Sequence, residues 1–320
     1  MRARRVALGG LGALILAVLA ELVLRFGLGF GDPVLAELDP EIEYMLVPSR
    51  DYTRYHNRVS VSPQRMRSDP LPTPAPEGQL RVIVVGDSVV YGNHFLDQAE
   101  TVAARMQARL TDVMPCEVAV GAMATSSWGP VNQLAFARRF GWFGAQGVVV
   151  VTHAQDLADY PTHDPNLVPY RLSGSALALI DAARAVQERL QNRAARADEA
   201  EGPLPFAVRR DRSLAAFGQL LADARAHHAV VAAFYHPRRQ EQARAPEPDG
   251  AQALFTRTAT AAGVTLTDLR PAYVAAGEGL YRDQVHLSAR GAEVMAAELA
   301  KWVQANLRCP EARDPASAAP

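Results

Sequence analysis

A run of β-branched residues at 82–85 leads directly into Gly86-Asp87-Ser88. An uninterrupted apolar run of this length is typical of a buried parallel strand, and the glycine and aspartate after it predict a tight turn. Ligands of open α/β sheets bind beyond the carboxyl ends of the strands, which is where this turn places Ser88. The stretch alone leaves two interpretations open, because the serine could act in chemistry or could cap the helix that follows.

Strand and helix patterns then alternate along the chain, which is typical of a parallel sheet with right-handed crossovers. The further predicted strands are 116–120, 147–152, 229–235 and 264–269. The predicted helices are 98–111, 131–140, 175–200, 213–227, 252–262 and 288–307. We therefore predict an α/β domain over residues 80–308, a three-layer α/β/α flavodoxin-like fold with about five parallel strands.

The N-terminal thirty residues differ from the rest. Three arginines within the first five residues precede an apolar run, 6–30, that only Glu21 and Arg25 interrupt. A run of this length can cross a bilayer, and the positive charges before it place the N-terminus in the cytoplasm and the rest of the chain outside. A signal peptide cleaved after Ala20 is the alternative. We favour an uncleaved transmembrane anchor over residues 1–30, because apolar sequence resumes beyond Ala20.

The segments on either side of the predicted domain contain few strong patterns. Residues 31–79 include several Pro and Gly breaks and predict an extended arm and linker, with a short strand or two near 58–62. Residues 309–320 are rich in Ala and Pro and predict a disordered tail. The formal net charge of −1 gives no indication of a nucleic-acid partner.

The chain contains only two cysteines, Cys116 and Cys309. Both are expected at the N-terminal edge of the sheet, where they could form a structural disulfide or remain two unrelated thiols. Three histidines on loops at the opposite edge, His94, His153 and His163, match no compact metal-ligand spacing, so they are interpreted as site-lining or polar loop residues. The sequence predicts no metal site and no cofactor.

A second polar motif, Asp283-Gln284-Val285-His286, stands just before the terminal helix. The topology places this loop at the same edge of the sheet as Ser88. An aspartate can orient an imidazole there, and the imidazole can take a proton from a serine that is otherwise a weak nucleophile. Solvated capping residues are the alternative for this motif alone.

Together, Gly86-Asp87-Ser88 and Asp283-Gln284-Val285-His286 resemble the nucleophile and base blocks of the SGNH/GDSL hydrolase family, and the similarity extends over about residues 81–307. The resemblance implies that Ser88 is the nucleophile and a backbone oxyanion donor, that His286 is the base and that Asp283 orients it. The arm before the nucleophile strand, with Met66-Arg67-Ser68, resembles the membrane-tethered bacterial branch of the family.

Two further family blocks are altered in this chain. The second block supplies a glycine N–H to the oxyanion hole, and the matching loop offers Ser126 or Ser127 instead. The third block supplies an asparagine, and the matching residue is Gln155, whose amide is carried on a longer stem. The loss of one such donor costs on the order of 3 kcal/mol of transition-state stabilisation.

The resemblance and the predicted export imply a membrane-anchored serine esterase on the periplasmic side of a bacterial inner membrane, acting on acyl, for example acetyl, esters of extracellular polysaccharide. Two alternatives stay open. The same residues could transfer the acyl group to a sugar, or the chain could be a non-catalytic envelope protein for polysaccharide assembly whose altered blocks mark a degenerate site.

Overall fold

The fold is organised around a five-stranded sheet, in a computed structural model that describes residues 2–195 and 204–310. The strands are β1 (Ala36–Asp39), β2 (Glu43–Leu46), β3 (Arg50–Arg54), β4 (Asn57–Val61), β5 (Leu80–Gly86), β6 (Val118–Ala124), β7 (Gly147–Thr152), β8 (Val230–Tyr235) and β9 (Leu266–Asp268). The helices are α1 (Arg2–Leu22), α2 (Ser88–Tyr91), α3 (Val102–Val113), α4 (Pro130–Phe140), α5 (Ala178–Ala195), α6 (Phe206–Ala226), α7 (Ala251–Ala261), α8 (Arg270–Ala276) and α9 (Ala289–Asn306).

The central sheet has the strand order β6-β5-β7-β8-β9, and every neighbouring pair in it is parallel. β5 lies between β6 and β7, so that Val84 pairs with both Ala122 and Val149. This is the order of flavodoxin-like sheets, with the crevice for ligands beyond the carboxyl ends of the strands.

Alternate residues of β5 face two separate apolar cores. Val82 and Val84 pack into the first core with side chains of α3 and α9, while Ile83 and Val85 pack into the second with side chains of α4, α6 and α7. A strand that is covered on both faces reads as an uninterrupted apolar run, which explains why it was recognisable in the sequence. The predicted three-layer α/β/α fold is confirmed.

Several element boundaries differ from the prediction. α3 begins at Val102 because the Thr101 hydroxyl accepts the N–H of Ala104 and so caps the helix there. α6 begins at Phe206, seven residues before the predicted start, and α8 was not predicted. Residues 196–203, which include most of the predicted break after α5, and 311–320, which include most of the predicted tail, lie outside the described residues.

The segment 31–79 is not the extended arm that the sequence predicts. It forms two antiparallel hairpins, β1–β2 and β3–β4, whose apolar side chains belong to the two cores. The buried side chains include Ile42, Tyr44, Tyr52 and Val59. The short strand predicted near 58–62 is present as β4, whereas the other three strands, of four or five residues each, have too little alternation to be recognised before the partner surface is known.

Arg67 fixes this segment to the loop that follows α2. Its guanidinium is buried and donates to the backbone oxygens of Arg58, Tyr91 and Leu96, at 2.8, 3.0 and 2.8 Å, and also to that of Asn93. An arginine can be buried at low cost only when its N–H groups are satisfied in this way. The N-terminal hairpins are therefore part of the structure that supports the loop after α2.

Cys116 and Cys309 form a disulfide, with their Cα atoms 5.8 Å apart. Cys116 precedes β6 and Cys309 follows α9, so the bond lies at the N-terminal edge of the sheet, as expected. The pairing that the sequence left open is thereby confirmed.

α1 extends away from the body, and it continues through a wider helical turn to Gly27. Within it, Ala7–Gly27 is long and apolar enough to cross a membrane, and none of its most apolar window is buried inside the protein. The apolar N-terminal helix is therefore present, and its place in a membrane is taken up below.

Candidate active site

Ser88 stands at the carboxyl end of β5, where the strand turns into α2. The turn is tight, because a Cβ on Gly86 would meet Val90 Cγ2 at 2.5 Å. Asp87 caps the short helix by accepting the N–H of Val89 at 2.9 Å through Oδ1. The helix-capping role that was an alternative for Ser88 therefore falls to Asp87.

The structure brings Ser88, His286 and Asp283 together. His286 Nδ1 lies 2.8 Å from Asp283 Oδ2, and His286 Nε2 lies 3.0 Å from Ser88 Oγ. A carboxylate only accepts hydrogen bonds, so Nδ1 carries the imidazole proton and Nε2 is left to accept from the serine hydroxyl. This is the relay of nucleophile, base and orienting acid that serine hydrolases require.

Asp283 is held by its own loop as well as by the imidazole. Its Oδ1 accepts the backbone N–H groups of Val285 at 2.9 Å and of His286 at 2.8 Å. Partial burial opposes ionisation, but these N–H groups and the imidazole outweigh it and lower the pKa of Asp283 below its ordinary value. The carboxylate is thus charged and directed at His286 Nδ1.

A second buried cluster lies on the other side of Asp87. His153, which directly follows β7, approaches Asp87 Oδ2 through Nε2 at 2.7 Å and Asp156 Oδ1 at 3.6 Å. Burial by itself lowers the pKa of His153, but the carboxylates of Asp156 and Asp87 together raise it to about 10. The backbone N–H of Gln155 lies 3.3 Å from His153 Nδ1, a long contact that needs a lone pair on Nδ1 and so fits the neutral imidazole. The contact of Nε2 with Asp87 is shorter, at 2.7 Å, which is typical of a charged hydrogen bond and favours the imidazolium.

The carboxylates of this cluster have opposite pKa shifts. Burial raises the pKa of Asp87, but the charge and hydrogen bond of His153 outweigh burial and lower it to about 2. Burial is the main reason that the pKa of Asp156 rises to about 6. Asp156 Oδ2 accepts the Thr152 hydroxyl at 2.7 Å and the His153 N–H at 2.9 Å, while its Oδ1 has no hydrogen-bond partner among the described residues.

Asp87, His153 and Asp156 could also be considered as metal ligands. Among the described residues they form a group whose possible ligand atoms all lie within 4.8 Å of one another. His153 Nε2, however, lies 2.7 Å from Asp87 Oδ2 and donates its proton to that carboxylate, so this nitrogen is already engaged within the cluster. The contacts therefore fit an internal ion pair better than a ligand set for a metal.

His236 supports the loop that carries His286. It follows β8 and is fully buried; its Nε2 donates to the carbonyl oxygen of Val285 at 2.9 Å, and its Nδ1 accepts the Tyr273 hydroxyl at 2.9 Å. Burial, followed by the charge of His153, lowers the pKa of His236 to about 3. The ring stays neutral and holds the residue that precedes His286.

The three predicted oxyanion donors, Ser126, Ser127 and Gln155, have different surroundings in the structure. Ser126 donates its backbone N–H to the Tyr170 hydroxyl at 3.0 Å, so this N–H is already engaged, contrary to the expectation. Ser127 is exposed and has a left-handed backbone conformation with φ of 58°. Gln155 is exposed at the protein surface, and the buried position in its segment is taken by His153.

Asn93 is a polar residue of this region that sequence reasoning did not single out. It follows Gly92, which ends α2, and its Oδ1 accepts the Ser126 hydroxyl. Its carbonyl oxygen is held by Arg67, and its φ is 47°. A non-glycine residue that is held in a left-handed conformation by two neighbours is a candidate functional residue, and only the structure reveals it.

An aromatic residue borders the triad. The ring of Phe95 is half-buried and lies edge-on to His286, with 5.5 Å between centroids, and the Arg282 guanidinium lies 4.3 Å from the Phe95 centroid. Trp128, in contrast, is buried, packs on Phe136 and donates its indole N–H to the Tyr44 carbonyl oxygen at 3.1 Å. Trp128 therefore has a packing role and is not exposed to a ligand.

No protein-family model and no curated protein matches this chain. Solved structures with a similar arrangement include a GDSL-like lipase from Bacteroides thetaiotaomicron, at 15% identity over 71% of this chain and 89% of that one, with a TM-score of 0.41. A psychrotrophic esterase from Pseudoalteromonas has 12% identity over 70% and 97%, with a TM-score of 0.41. A variant of an acetyl xylan esterase from Geobacillus stearothermophilus has 13% identity over 72% and 97%, with a TM-score of 0.44. The chemistry proposed below rests on the geometry of the site and not on these similarities.

Proposed function

We propose that this protein is a serine esterase of the SGNH/GDSL family. The observation that carries the proposal is the hydrogen-bonded series Ser88–His286–Asp283, with heavy-atom distances of 3.0 and 2.8 Å, at the carboxyl edge of the sheet. Three residues from opposite ends of the domain meet in the order and geometry that nucleophilic catalysis needs. Solvated capping residues would have no reason to meet a serine that is 198 positions away in the chain.

The reaction would proceed through an acyl-enzyme. Ser88 Oγ attacks the ester carbonyl carbon while its proton moves to His286 Nε2, and the negative charge of Asp283 stabilises the resulting imidazolium. His286 then gives that proton to the leaving alcohol oxygen, and the ester C–O bond breaks. Water attacks the acyl-serine, again with His286 as base, which releases the acid and restores Ser88.

Asp87 is a competing acceptor for the serine proton, because its Oδ2 lies 3.3 Å from Ser88 Oγ. The pairing with His153 lowers the pKa of Asp87 to about 2, which makes this carboxylate a poor base. His286 is also nearer to the hydroxyl, at 3.0 Å. We therefore assign the base role to His286 and a positioning role to Asp87.

The oxyanion would be held by the backbone N–H of Ser88 and by the side-chain amide of Asn93. The first turn of a helix leaves its N–H groups without partners inside the helix, and Ser88 is the first residue of α2. Asn93 keeps both amide hydrogens available, because its contact with Ser126 uses Oδ1. Ser127 and Gln155 stay further candidates, although both are exposed.

The location and the substrate are also proposals. α1 would anchor the chain in the bacterial inner membrane, with the positive N-terminus inside and the hydrolase domain, residues 80–308, on the periplasmic side. Acyl esters of extracellular polysaccharide fit that compartment, and the exposed guanidinium of Arg282, held over Phe95 beside the triad, could bind sugar hydroxyls. Acyl transfer to a sugar would use the same residues, with a hydroxyl in place of water.

Turnover of p-nitrophenyl acetate by the full chain in detergent micelles tests the esterase proposal. We expect wild-type protein to release p-nitrophenol well above the rate of Ser88→Ala. Equal rates would favour the non-catalytic envelope protein instead. Acetate release from acetylated glycans, with and without a sugar acceptor, then separates hydrolysis from acyl transfer.

A further inference from the structure

α5 presents an apolar face outward. Leu179, Ile180, Ala183 and Val186 fall on one side of the helix by their spacing, and all four are exposed. The relative exposures of Leu179, Ile180 and Val186 are 37%, 42% and 58%. A surface helix ordinarily turns such a face toward the core, so an apolar face that is left in solvent indicates a missing partner.

The rotation of α5 is fixed by the buried carboxylate of Asp181. This side chain accepts the N–H of Gly31 at 2.9 Å and forms an ion pair with Arg54 at 2.6 Å. Asp181 is almost fully buried, so it holds one side of the helix against the body. The outward direction of the apolar face is thus built into the fold.

The start of α5 is joined directly to the end of α1. Glu21 accepts the N–H groups of Ala178 at 2.8 Å and of Leu179 at 3.0 Å, and Arg25 donates to the carbonyl oxygen of Ala176 at 3.0 Å. Glu21 and Arg25 are also ion-paired at 2.8 Å. The two charges that interrupt the apolar run are therefore satisfied by the N-terminus of α5 and by each other.

This junction sets the depth of α5 relative to a membrane. Glu21 lies six residues before Gly27, the end of the apolar segment, and a helix rises 1.5 Å per residue, so the junction is about 9 Å from that end. If α1 crosses a bilayer, the beginning of α5 lies about 9 Å inside the end of that span, within the depth of about 5–10 Å to which interfacial helices insert. Val23 and Phe26, in the helical turn that follows α1, are further exposed apolar residues close to the junction.

We propose that the outward face of α5, defined by Leu179, Ile180, Ala183 and Val186, lies on the lipid surface of the membrane that α1 crosses. The inference rests on the anchor proposed above. Amphipathic helices lie in the interface with their apolar side toward the acyl chains, and this one is already held at the right depth by Glu21. α5 is thus a second membrane contact, which fixes the orientation of the hydrolase domain.

The orientation has a consequence for the site. Ring contacts lead from Phe30, just after the anchor, to His286 through Tyr55, His94 and Phe95, with centroid separations of 5.5, 5.3, 4.6 and 5.5 Å. Four steps of at most 5.5 Å place the catalytic imidazole no more than about 22 Å from Phe30. A domain held by both α1 and α5 would present Ser88 to substrates close to the membrane surface.

Lipid quenching of a site-specific fluorophore tests this proposal on the full chain. Four separate variants, Leu14→Cys, Ile180→Cys, Val186→Cys and Val113→Cys, are labelled with a nitrobenzoxadiazole maleimide and reconstituted in phosphatidylcholine and phosphatidylglycerol vesicles. The native cysteines are paired and so do not compete for the label. Leu14, at 61% exposure in α1, reports the anchor, and Val113, at 57% exposure at the disulfide end of the domain, is the matched control.

We expect doxyl-labelled lipid to reduce the emission of the labels at positions 14, 180 and 186 and to leave the label at 113 unchanged. Quenching at 14 without quenching at 180 and 186 would overturn docking by α5 while the anchor stands. The absence of quenching at all four positions would overturn both the anchor and the docking. The labels at 180 and 186 could instead respond to protein concentration in micelles and not to the doxyl lipid. That result would show that a second copy of the chain covers this face and would contradict the proposal.

Discussion

His153 Nε2 lies 2.7 Å from Asp87 Oδ2, so the residue that precedes the proposed nucleophile is held by a buried charged hydrogen bond. Asp87 in turn caps α2 and borders the hydroxyl of Ser88. The position of Ser88 therefore depends on a residue from the end of β7, far away in the sequence.

Replacement of His153 by Asn should destabilise the fold. Removing one partner from a buried ion pair leaves an uncompensated charge, and we expect a loss of about 3–5 kcal/mol in the free energy of unfolding. Chemical unfolding of the full chain in micelles measures this loss. His163→Asn, at an exposed loop position with left-handed φ that Asn tolerates, is the control and should change stability by less than about 1 kcal/mol. Equal stabilities of the two variants would show that His153 is not part of a buried ion pair.

Stability should also fall in alkaline solution through His153. The pKa of this imidazole is raised to about 10 in the fold, from an ordinary value near 6.5, so the folded state keeps a proton that the unfolded chain releases. The contribution is complete below about pH 6.5 and is lost as the pH rises toward 10, with a limiting slope of about 1.4 kcal/mol per pH unit. The raised pKa values of Asp156, about 6, and of Asp159, about 8, lower stability in the same direction at lower pH. Unfolding measured between about pH 8.5 and 9.5 should therefore slope downward in wild type and much less in His153→Asn; parallel curves would contradict the assigned charge.

The two amides near the site should differ in their effects. Asn93→Ala removes a donor that we place at the oxyanion, so kcat should fall about 10²–10³-fold. Gln155→Ala removes an exposed amide and should lower kcat by less than about tenfold. Steady-state kinetics with p-nitrophenyl acetate compare the two, with Asn93→Asp as a variant of similar shape that lacks the amide donor. A large loss in Gln155→Ala with little change in Asn93→Ala would reverse the assignment in favour of the family-like position.

Loss of the disulfide should affect stability and not catalysis. Cys116 and Cys309 are bonded at the N-terminal edge of the sheet, whereas Ser88 stands at the carboxyl edge. The double variant Cys116→Ser, Cys309→Ser should lose about 2–5 kcal/mol of unfolding free energy with kcat unchanged. Wild-type protein in reductant should match it. Unchanged stability in both would mean that the bond contributes little to the fold.

Sequence reasoning located the sheet and the triad because both follow from simple rules. The buried strands β5 and β7 are apolar runs bounded by glycine and polar residues, and parallel strands bring their carboxyl ends to one edge. That rule placed Ser88 and the His286 loop at the same edge, and the two motifs together, through their resemblance to a known family, assigned the pair. The same rule applied to the ends of β7 and β8 points to His153 and His236, but it does not distinguish a buried ionised histidine from a polar loop residue.

The other differences arise from tertiary contacts that the sequence does not reveal. The hairpins of 31–79 are stable only against the cores that they help to fill, and Arg67 reads as a surface arginine until its carbonyl partners are known. The N–H of Ser126 is engaged because Tyr170, from a loop 44 residues later, donates and accepts hydrogen bonds around it. Whether a backbone N–H is free to bind an oxyanion can be judged only once the positions of its neighbours are known.

The base should be indispensable. His286→Ala removes the acceptor that lies 3.0 Å from Ser88 Oγ, and general base catalysis typically contributes 10²–10⁴-fold, so kcat/KM should fall by about that factor. Asp283→Asn should also lower kcat/KM, because the lost charge no longer stabilises the imidazolium. Retained activity in His286→Ala, with unfolding unchanged, would point to another base.

Mapping a fluorophosphonate adduct by mass spectrometry tests the assignment of Ser88 as nucleophile most directly. The full chain in micelles is treated with the probe, digested, and compared with Ser88→Ala and His286→Ala. We predict one adduct on the peptide that contains Ser88, absent in Ser88→Ala and formed much more slowly in His286→Ala. An unlabelled wild-type protein, or an adduct on another residue that forms equally fast in Ser88→Ala, would contradict the proposed mechanism.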